Sequence, residues 1–351
     1  MSKPCTPEAF FCFFLLIISL TGCGGLHGYP SFSVLEATSL SENSLEGDVA
    51  PVHDPSVFRQ NGTYYVFTSD PGDPAPHQYL PIRCSQDKVK WKACGQVFTT
   101  LPRWVKASVP GVGPLWAPDI SFFGGLYRLY YAGSTAGSQT SVIGLATNTT
   151  LDSTDPAYHW VDRGQVLASF PGEDFNAIDP NILVDSDQKV WLTYGSYWSG
   201  IKQREIDPTT GLLLASNPVR SDLASRPGTT DDAIEGSSLV HHGSFYYLFL
   251  SVDHCCEDQS SQDDYKEIVG RSTSPNGPFV DVEGAALTQG GGSILLAGNA
   301  TWGAPGGGTA FIDSDSGEDM LVFHALKMSN EATPYLWLKA ISWPDDWPFL
   351  H

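Results

Sequence analysis

Hydrophobic and polar positions along the chain repeat one pattern. An acid or Gly opens a short strand of alternating apolar and polar residues, a Gly/Asn/Asp turn follows, and a second strand carries aromatics. The first copy runs Asp54-Pro55-Ser56-Val57-Phe58, turns at Asn61-Gly62 and returns as Tyr64-Tyr65-Val66-Phe67. Later copies read Asp119-Ile120-Ser121-Phe122-Phe123 with Tyr127 to Tyr131, Asp179-Pro180-Asn181-Ile182-Leu183-Val184 with Val190 to Tyr194, and Glu235-Gly236-Ser237-Ser238-Leu239-Val240 with Phe245 to Phe249. A weaker fifth spans residues 306–312, an acidic turn, and Met320-Leu321-Val322-Phe323-His324. The copies open at residues 54, 119, 179, 235 and 306, a period of roughly 60 residues with short strands and no helical periodicity. This predicts an all-β, five-bladed β-propeller. The repeat leaves no room for a second fold, so residues 28–351 are expected to form one propeller domain. Leu336-Trp337-Leu338-Lys339-Ala340-Ile341 and the residues before Asp54 are expected to meet where the ring closes, removing an exposed edge.

Composition agrees: 35 Gly, 25 Pro, 10 Trp and 14 Tyr favour turns and aromatic strands over helices. Acids outnumber bases 39 to 19 without any basic run, which argues against a nucleic-acid partner. Residues 1–27 read as a signal peptide and leader, since the apolar run at 10–20 is too short to span a bilayer. A second reading takes Leu20-Thr21-Gly22-Cys23 as a lipoprotein box, which would tie the chain to a membrane through a lipid on Cys23. Sequons at Asn61, Asn148 and Asn299 favour a eukaryotic secretory route, and both readings export the protein. A secreted, extracellular monomer without membrane contact is expected. Cys84, Cys94, Cys255 and Cys256 remain after the leader. They allow a Cys84–Cys94 hairpin closure with a vicinal Cys255–Cys256 ring, or two bridges between the pairs.

In a propeller, residues at one phase of successive repeats converge on the axis. Asp54, Asp119, Asp179 and Glu235 occupy that phase in the sequence pattern, and crowded carboxylates separate into acid and base roles. Such a pair flanked by rings suits glycosidic bond cleavage, because sugars stack on aromatics; Trp116 and Trp198 are placed to supply those rings.

The residues resemble glycoside hydrolase family 43, and more closely its fungal-type endo-α-1,5-L-arabinanases. The resemblance runs from about Val52 to Trp347 and is carried by Val52-His53-Asp54-Pro55-Ser56, Leu115-Trp116-Ala117-Pro118-Asp119-Ile120, Asn176-Ala177-Ile178-Asp179-Pro180-Asn181, Glu235-Gly236-Ser237 and Ser342-Trp343-Pro344-Asp345-Asp346-Trp347-Pro348. It implies a five-bladed propeller that inverts the anomeric centre. Asp54 would be the general base, Glu235 the general acid, and Asp179 the carboxylate that tunes and orients Glu235. The resemblance also places Asn176, Ala177, Ile178, Asn181, Gly137, Tyr194, Gly195 and Ser196 against the sugar, with Asp119 in positional support. His324 resembles a His that faces a hydrated calcium ion; one structural Ca2+ and no organic cofactor are implied. One departure is Ala136, where many arabinanases carry an aromatic.

The expected function is therefore a secreted inverting endo-α-1,5-L-arabinanase acting on the arabinan backbone of plant pectin, with arabinan polysaccharide or oligosaccharide as substrate. An exo-acting α-L-arabinofuranosidase or β-xylosidase of the same family is the nearest alternative. A non-catalytic carbohydrate-binding propeller is a further one.

Overall fold

The computed structural model describes residues 32–351 apart from residues 39, 73–76, 230, 256–263, 314–315 and 331. The expected leader, residues 1–27, lies outside the described residues.

Five antiparallel sheets of four consecutive strands form five blades, with extra strands on two of them. The innermost strands are Ser56–Gln60, Trp116–Phe123, Asn181–Val184, Ile234–His242 and Trp302–Phe311, and each is followed by the aromatic second strand that its repeat predicts. The architecture is the five-bladed β-propeller expected from the pattern. The second strands are apolar on both faces because each blade is sandwiched between two others. In Leu126–Gly133, Leu129 and Tyr131 pack with Phe67 and Ile82 of blade 1, while Tyr130 packs with Leu192 and Tyr194 of blade 3. Equivalent layers join blades 3 to 4, 4 to 5, and 5 to 1. A short helix, Arg103–Ser108, is the one α-helical element among the described residues and was not foreseen.

Closure differs in detail from the expectation. Thr333–Ser342 is the third strand of blade 5, and the chain before Asp54 touches it through two backbone hydrogen bonds, Leu336 N to Val49 O and Val52 N to Pro334 O. The same N-terminal chain adds parallel edge strands, Ser33–Thr38 on blade 4 and Glu46–Gly47 on blade 1. It acts as a strap over the seam.

Around the axis, each inner strand has a left-handed residue at a matching point, Asp54 (φ 47°), Ala117 (42°), Asp179 (53°), Gly236 (57°) and Gly307 (59°), and blade 5 has a second at Ala304 (44°). In blades 2, 4 and 5 the ladder register shifts at these points, as a bulge requires. Two residues further on, Ser56, Asp119, Asn181 and Ser238 each accept the backbone N–H of the next blade, from Ile120 (3.1 Å), Ile182 (2.9 Å), Leu239 (2.8 Å) and Ala310 (3.1 Å). These bonds pass from blade to blade and satisfy N–H groups on the inner strands, which are the open edges of their sheets.

Candidate active site

This register corrects the sequence phase. Asp54 and Asp179 are true counterparts, whereas the counterpart of both in blade 2 is Ala117. Asp119 sits two residues later, buried, accepting hydrogen bonds from Ser56 Oγ (3.3 Å), Asn181 Nδ2 (3.0 Å) and Ile182 N (2.9 Å). Burial pushes its carboxyl up to about 7 against the pull of those three donors. Glu235 precedes the blade 4 counterpart, Gly236, by one residue. The bulges shift the count, so four acids at one sequence spacing become two acids in register, one neighbour and one blade-to-blade tie.

Asp54, Asp179 and Glu235 do meet, on the floor of one cleft of about 940 Å3. Each opens partly to the cleft. Left-handed backbone is tolerated by Asp better than by most residues, and it lets the chain turn at the channel mouth. Asp54 Oδ2 accepts from Ser69 Oγ at 2.5 Å, and the same oxygen of Ser69 accepts Ala117 N–H at 2.8 Å, tying blade 1 to blade 2. Glu235 is gripped from both sides, by Ser196 Oγ on Oε2 (2.7 Å) and Tyr265 OH on Oε1 (2.9 Å). Asp179 Oδ2 accepts the N–H of Gly236 at 3.1 Å, so it holds the peptide that follows Glu235.

The electrostatics follow. Asp179 lies well above the usual carboxylate range, first from desolvation and then from repulsion by Glu235 and Asp54. Glu235 is also raised by desolvation and by Asp54, although Ser196 and Tyr265 pull it back. Two such neighbours take up protons as a unit, and their surroundings favour a protonated pair.

Of the other expected residues, Trp116, Gly137, Asn176 and Ile178 line the cleft, as do Asn181, Ser196 and Trp198. Trp198 is 38% exposed and lines the cleft. Asn181 has both ends of its amide engaged, on Asp119 and on Leu239 N. Asp119, Ala177, Tyr194 and Gly195 stand behind the cleft wall. The side chains of Ala177 and Tyr194 pack into the layer between blades 2 and 3, Tyr194 on the same face of its strand as Val190 and Leu192. A Cβ on Gly195 would meet Gly200 O at 2.6 Å, so this Gly serves a close backbone approach.

Sequence reasoning assigned no role to His53, Ser69 or Tyr265. His53 stood inside a quoted motif, whereas Ser69 and Tyr265 carry no periodic signal. The ligating atoms of His53, Asp54 and His324 lie within 4.8 Å of one another, an arrangement that could hold a metal ion. Desolvation lowers both imidazoles, His324 strongly, which keeps their lone pairs free of protons. Calcium takes six to eight oxygen ligands, and this trio supplies two nitrogens and one carboxylate. A calcium ion here would keep most of its water shell.

Cys84 and Cys94 form a disulfide, which excludes two bridges between the cysteine pairs. Cys255 is disulfide-bonded as well and borders the cleft, its Sγ 3.6 Å from His324 Nε2; Cys256 lies outside the described residues.

Comparison with known proteins follows the same lines. The model of Glycosyl hydrolases family 43 matches residues 49–348. An extracellular exo-α-(1→5)-L-arabinofuranosidase of Cellvibrio japonicus is 35% identical over 333 residues, 92% of each chain. An extracellular endo-α-(1→5)-L-arabinanase of Bacillus subtilis is 36% identical, covering 85% of this chain and 87% of its own. Among solved structures, an endo-arabinanase from Bacillus licheniformis superposes with a TM-score of 0.78 at 36% identity, over 88% of this chain and 100% of the other. The Cellvibrio cellulosa α-L-arabinanase complexed with arabinohexaose gives 0.79 at 34% identity, over 87% and 96%.

Proposed function

The chain belongs to glycosyl hydrolase family 43 and is a glycoside hydrolase, and from that premise we propose that it cuts α-1,5-linked arabinan within the chain, with inversion. The observation that carries the reading is the trio of carboxylates gathered from blades 1, 3 and 4, each held by its own hydrogen-bond donors.

Asp54 is the general base. It removes a proton from a water whose oxygen attacks the anomeric carbon, while Glu235 gives its proton to the departing glycosidic oxygen as that bond breaks. Inversion requires space for this water between base and sugar, with the two carboxyls roughly 6.5–9.5 Å apart. Asp179 holds the Gly236 peptide and so orients the acid, while burial and the nearby Asp54 keep the proton on Glu235 until it is needed. Ser196 and Tyr265 favour the ionised acid and so ease the proton's release. A cation held by His53, Asp54 and His324, calcium with a mostly aqueous shell on our reading, would supply positive charge beside the base.

A cleft of about 940 Å3 stands at the upper end of ligand sites, which run roughly 300–1,000 Å3, and accommodates several sugar units. Trp116 and Trp198 supply stacking faces. The extracellular relatives support secretion behind the leader, and pectin arabinan is the substrate to which such a protein would be exported.

The test is hydrolysis of linear arabinan by the parent and by Glu235→Gln and Asp54→Asn. Each substitution is expected to lower kcat at least about a thousandfold with the fold intact. Near-parent activity in either variant removes that residue from its role. Oligomers among the earliest products support internal cutting. Arabinose alone from the first time point establishes the exo action named for the Cellvibrio relative.

A further inference from the structure

In blade 4 three side-by-side strands place Glu235 opposite Ser251, and Ser251 opposite Glu267. Glu267 is fully buried, does not line the cleft and has no part in the chemistry above. Its Oε2 is 3.0 Å from Ser251 Oγ, which also accepts the N–H of Gly307 at 2.9 Å. Ser251 also interacts with the Tyr265 hydroxyl, and Tyr265 donates to Glu235 Oε1 at 2.9 Å. Glu267 thus lies beneath the acid at the end of a row of polar groups. The same row reaches Gly307, the residue packed on Asp54.

The second oxygen, Glu267 Oε1, is buried without a hydrogen-bond partner of normal geometry and faces Gly308, where a Cβ would come within 3.1 Å. A buried carboxylate with such an oxygen is costly, whereas an uncharged carboxyl is tolerated. Uncharged, the carboxyl can donate to Ser251, Ser251 to Tyr265, and Tyr265 to Glu235, so the donors all run toward the acid. Ionised, Glu267 takes the Ser251 proton instead and the order breaks.

From this geometry we propose that Glu267 is a positioning residue for Glu235: an uncharged carboxyl that sets Ser251 and Tyr265 beneath the acid and holds the backbone at 306–308 beside the base. It touches no sugar. The inference rests on Glu235 being the acid. Burial pushes the Glu267 carboxyl up to about 8 against Ser251 and the Gly308 backbone, so the ordered form persists through neutral pH. The titratable groups around it are Tyr265, Glu235 beyond Ser251, and Asp54 and His324 beyond Gly307; Lys266 pairs with Asp253 instead.

The experiment measures kcat and KM on linear arabinan between pH 5 and 9.5 for the full chain and for Glu267→Gln, Glu267→Leu and Glu235→Gln, with thermal melting of each. Gln keeps a donor toward Ser251 and is expected within about threefold of the parent at pH 6, whereas Leu loses at least about tenfold in kcat with KM little changed. The parent's alkaline limb is expected to fall with two protons, Glu235 and Glu267, and that of Glu267→Gln with one. The inference is overturned if Gln is as damaged as Leu, if Leu matches the parent, or if the Gln variant's alkaline limb is as steep as the parent's. Should Glu267→Leu not fold, the slope for Gln decides alone. An active Glu235→Gln defeats the acid assignment itself, while an inactive one beside parent-like Glu267 variants defeats only the role of Glu267.

Discussion

Replacing Gly307 by Ala isolates the placement of the base from everything else in the fold. A methyl there would stand 2.6 Å from Asp54 Oδ1 and 2.9 Å from His324 Nδ1, at a backbone φ of 59°. Ordinary contact begins near 3.4 Å, so something must yield by about 0.8 Å in a close-packed site. Asp54 is tied by Ser69 Oγ at 2.5 Å and by its own N–H to His324 Nδ1 at 3.3 Å, so relief displaces the base along with its partners. Left-handed Ala costs about 1–2 kcal/mol and the overpacking about 1–3 kcal/mol more, which for a chain of this length is a fall in Tm of about 3–7 °C. A shift near 1 Å in a reacting group costs about one hundredfold, so kcat should drop by that factor, about 2.7 kcal/mol in the barrier. Gly125→Ala is the control, because its φ is 75° and a methyl there meets nothing within 4 Å. It should lose about 1–2 kcal/mol and leave kcat unchanged. Reducing-end release and thermal melting read both variants. A Gly307→Ala protein that melts lower but turns over as fast as Gly125→Ala would refute the claim that Asp54 is held where catalysis needs it.

Two further outcomes concern titration. Asp119 has a folded pKa of about 7 against an ordinary 3.8, so its contribution to stability is full below pH 4 and is lost as pH rises through 7. The loss is at most about 4 kcal/mol. Asp119→Asn should therefore be the less stable protein at pH 4–5 and close the gap by pH 8, in denaturant melts across pH; a gap independent of pH would show that Asp119 does not titrate in that range. Tyr265→Phe removes a donor that stabilises ionised Glu235. The alkaline limb of kcat should then move to higher pH while kcat itself falls about tenfold, and a limb that moves down would contradict the assigned hydrogen bond.

The blades were legible because each brings its own turn, Asn61-Gly62 or Gly124-Gly125, between two strands whose apolar residues are buried on both faces. The meeting of Asp54, Asp179 and Glu235 was legible from their place at strand entry. The phase of Asp119 was misread, though not its supporting place, because a bulge adds residues between Trp116 and the ladder, and spacing alone cannot count a bulge. Ala177 and Tyr194 belong to motifs that reach the cleft at only some of their positions, and both pack instead into the layer between blades 2 and 3. Tyr265 was out of reach for another reason: its value to Glu235 exists only once segments 30 residues apart are brought together in one blade on either side of Phe245–Val252. The parallel strands of the N-terminal strap follow no repeat, so no period announces them.

The carboxylates of the site come from three blades, with His324 from a fourth and Trp116 from the last, and Asp54, Asp179, Glu235 and His324 are each held by contacts reaching into a neighbouring blade. None of the five blades therefore carries even a fraction of the activity. A nascent chain with four blades complete already holds Asp54, Asp179 and Glu235, yet Gly307 and His324 do not stand beside the base until the fifth arrives and the strap closes over the seam. The site is therefore complete only once blade 5 meets blade 1, and closing the ring is what brings its last groups beside the base.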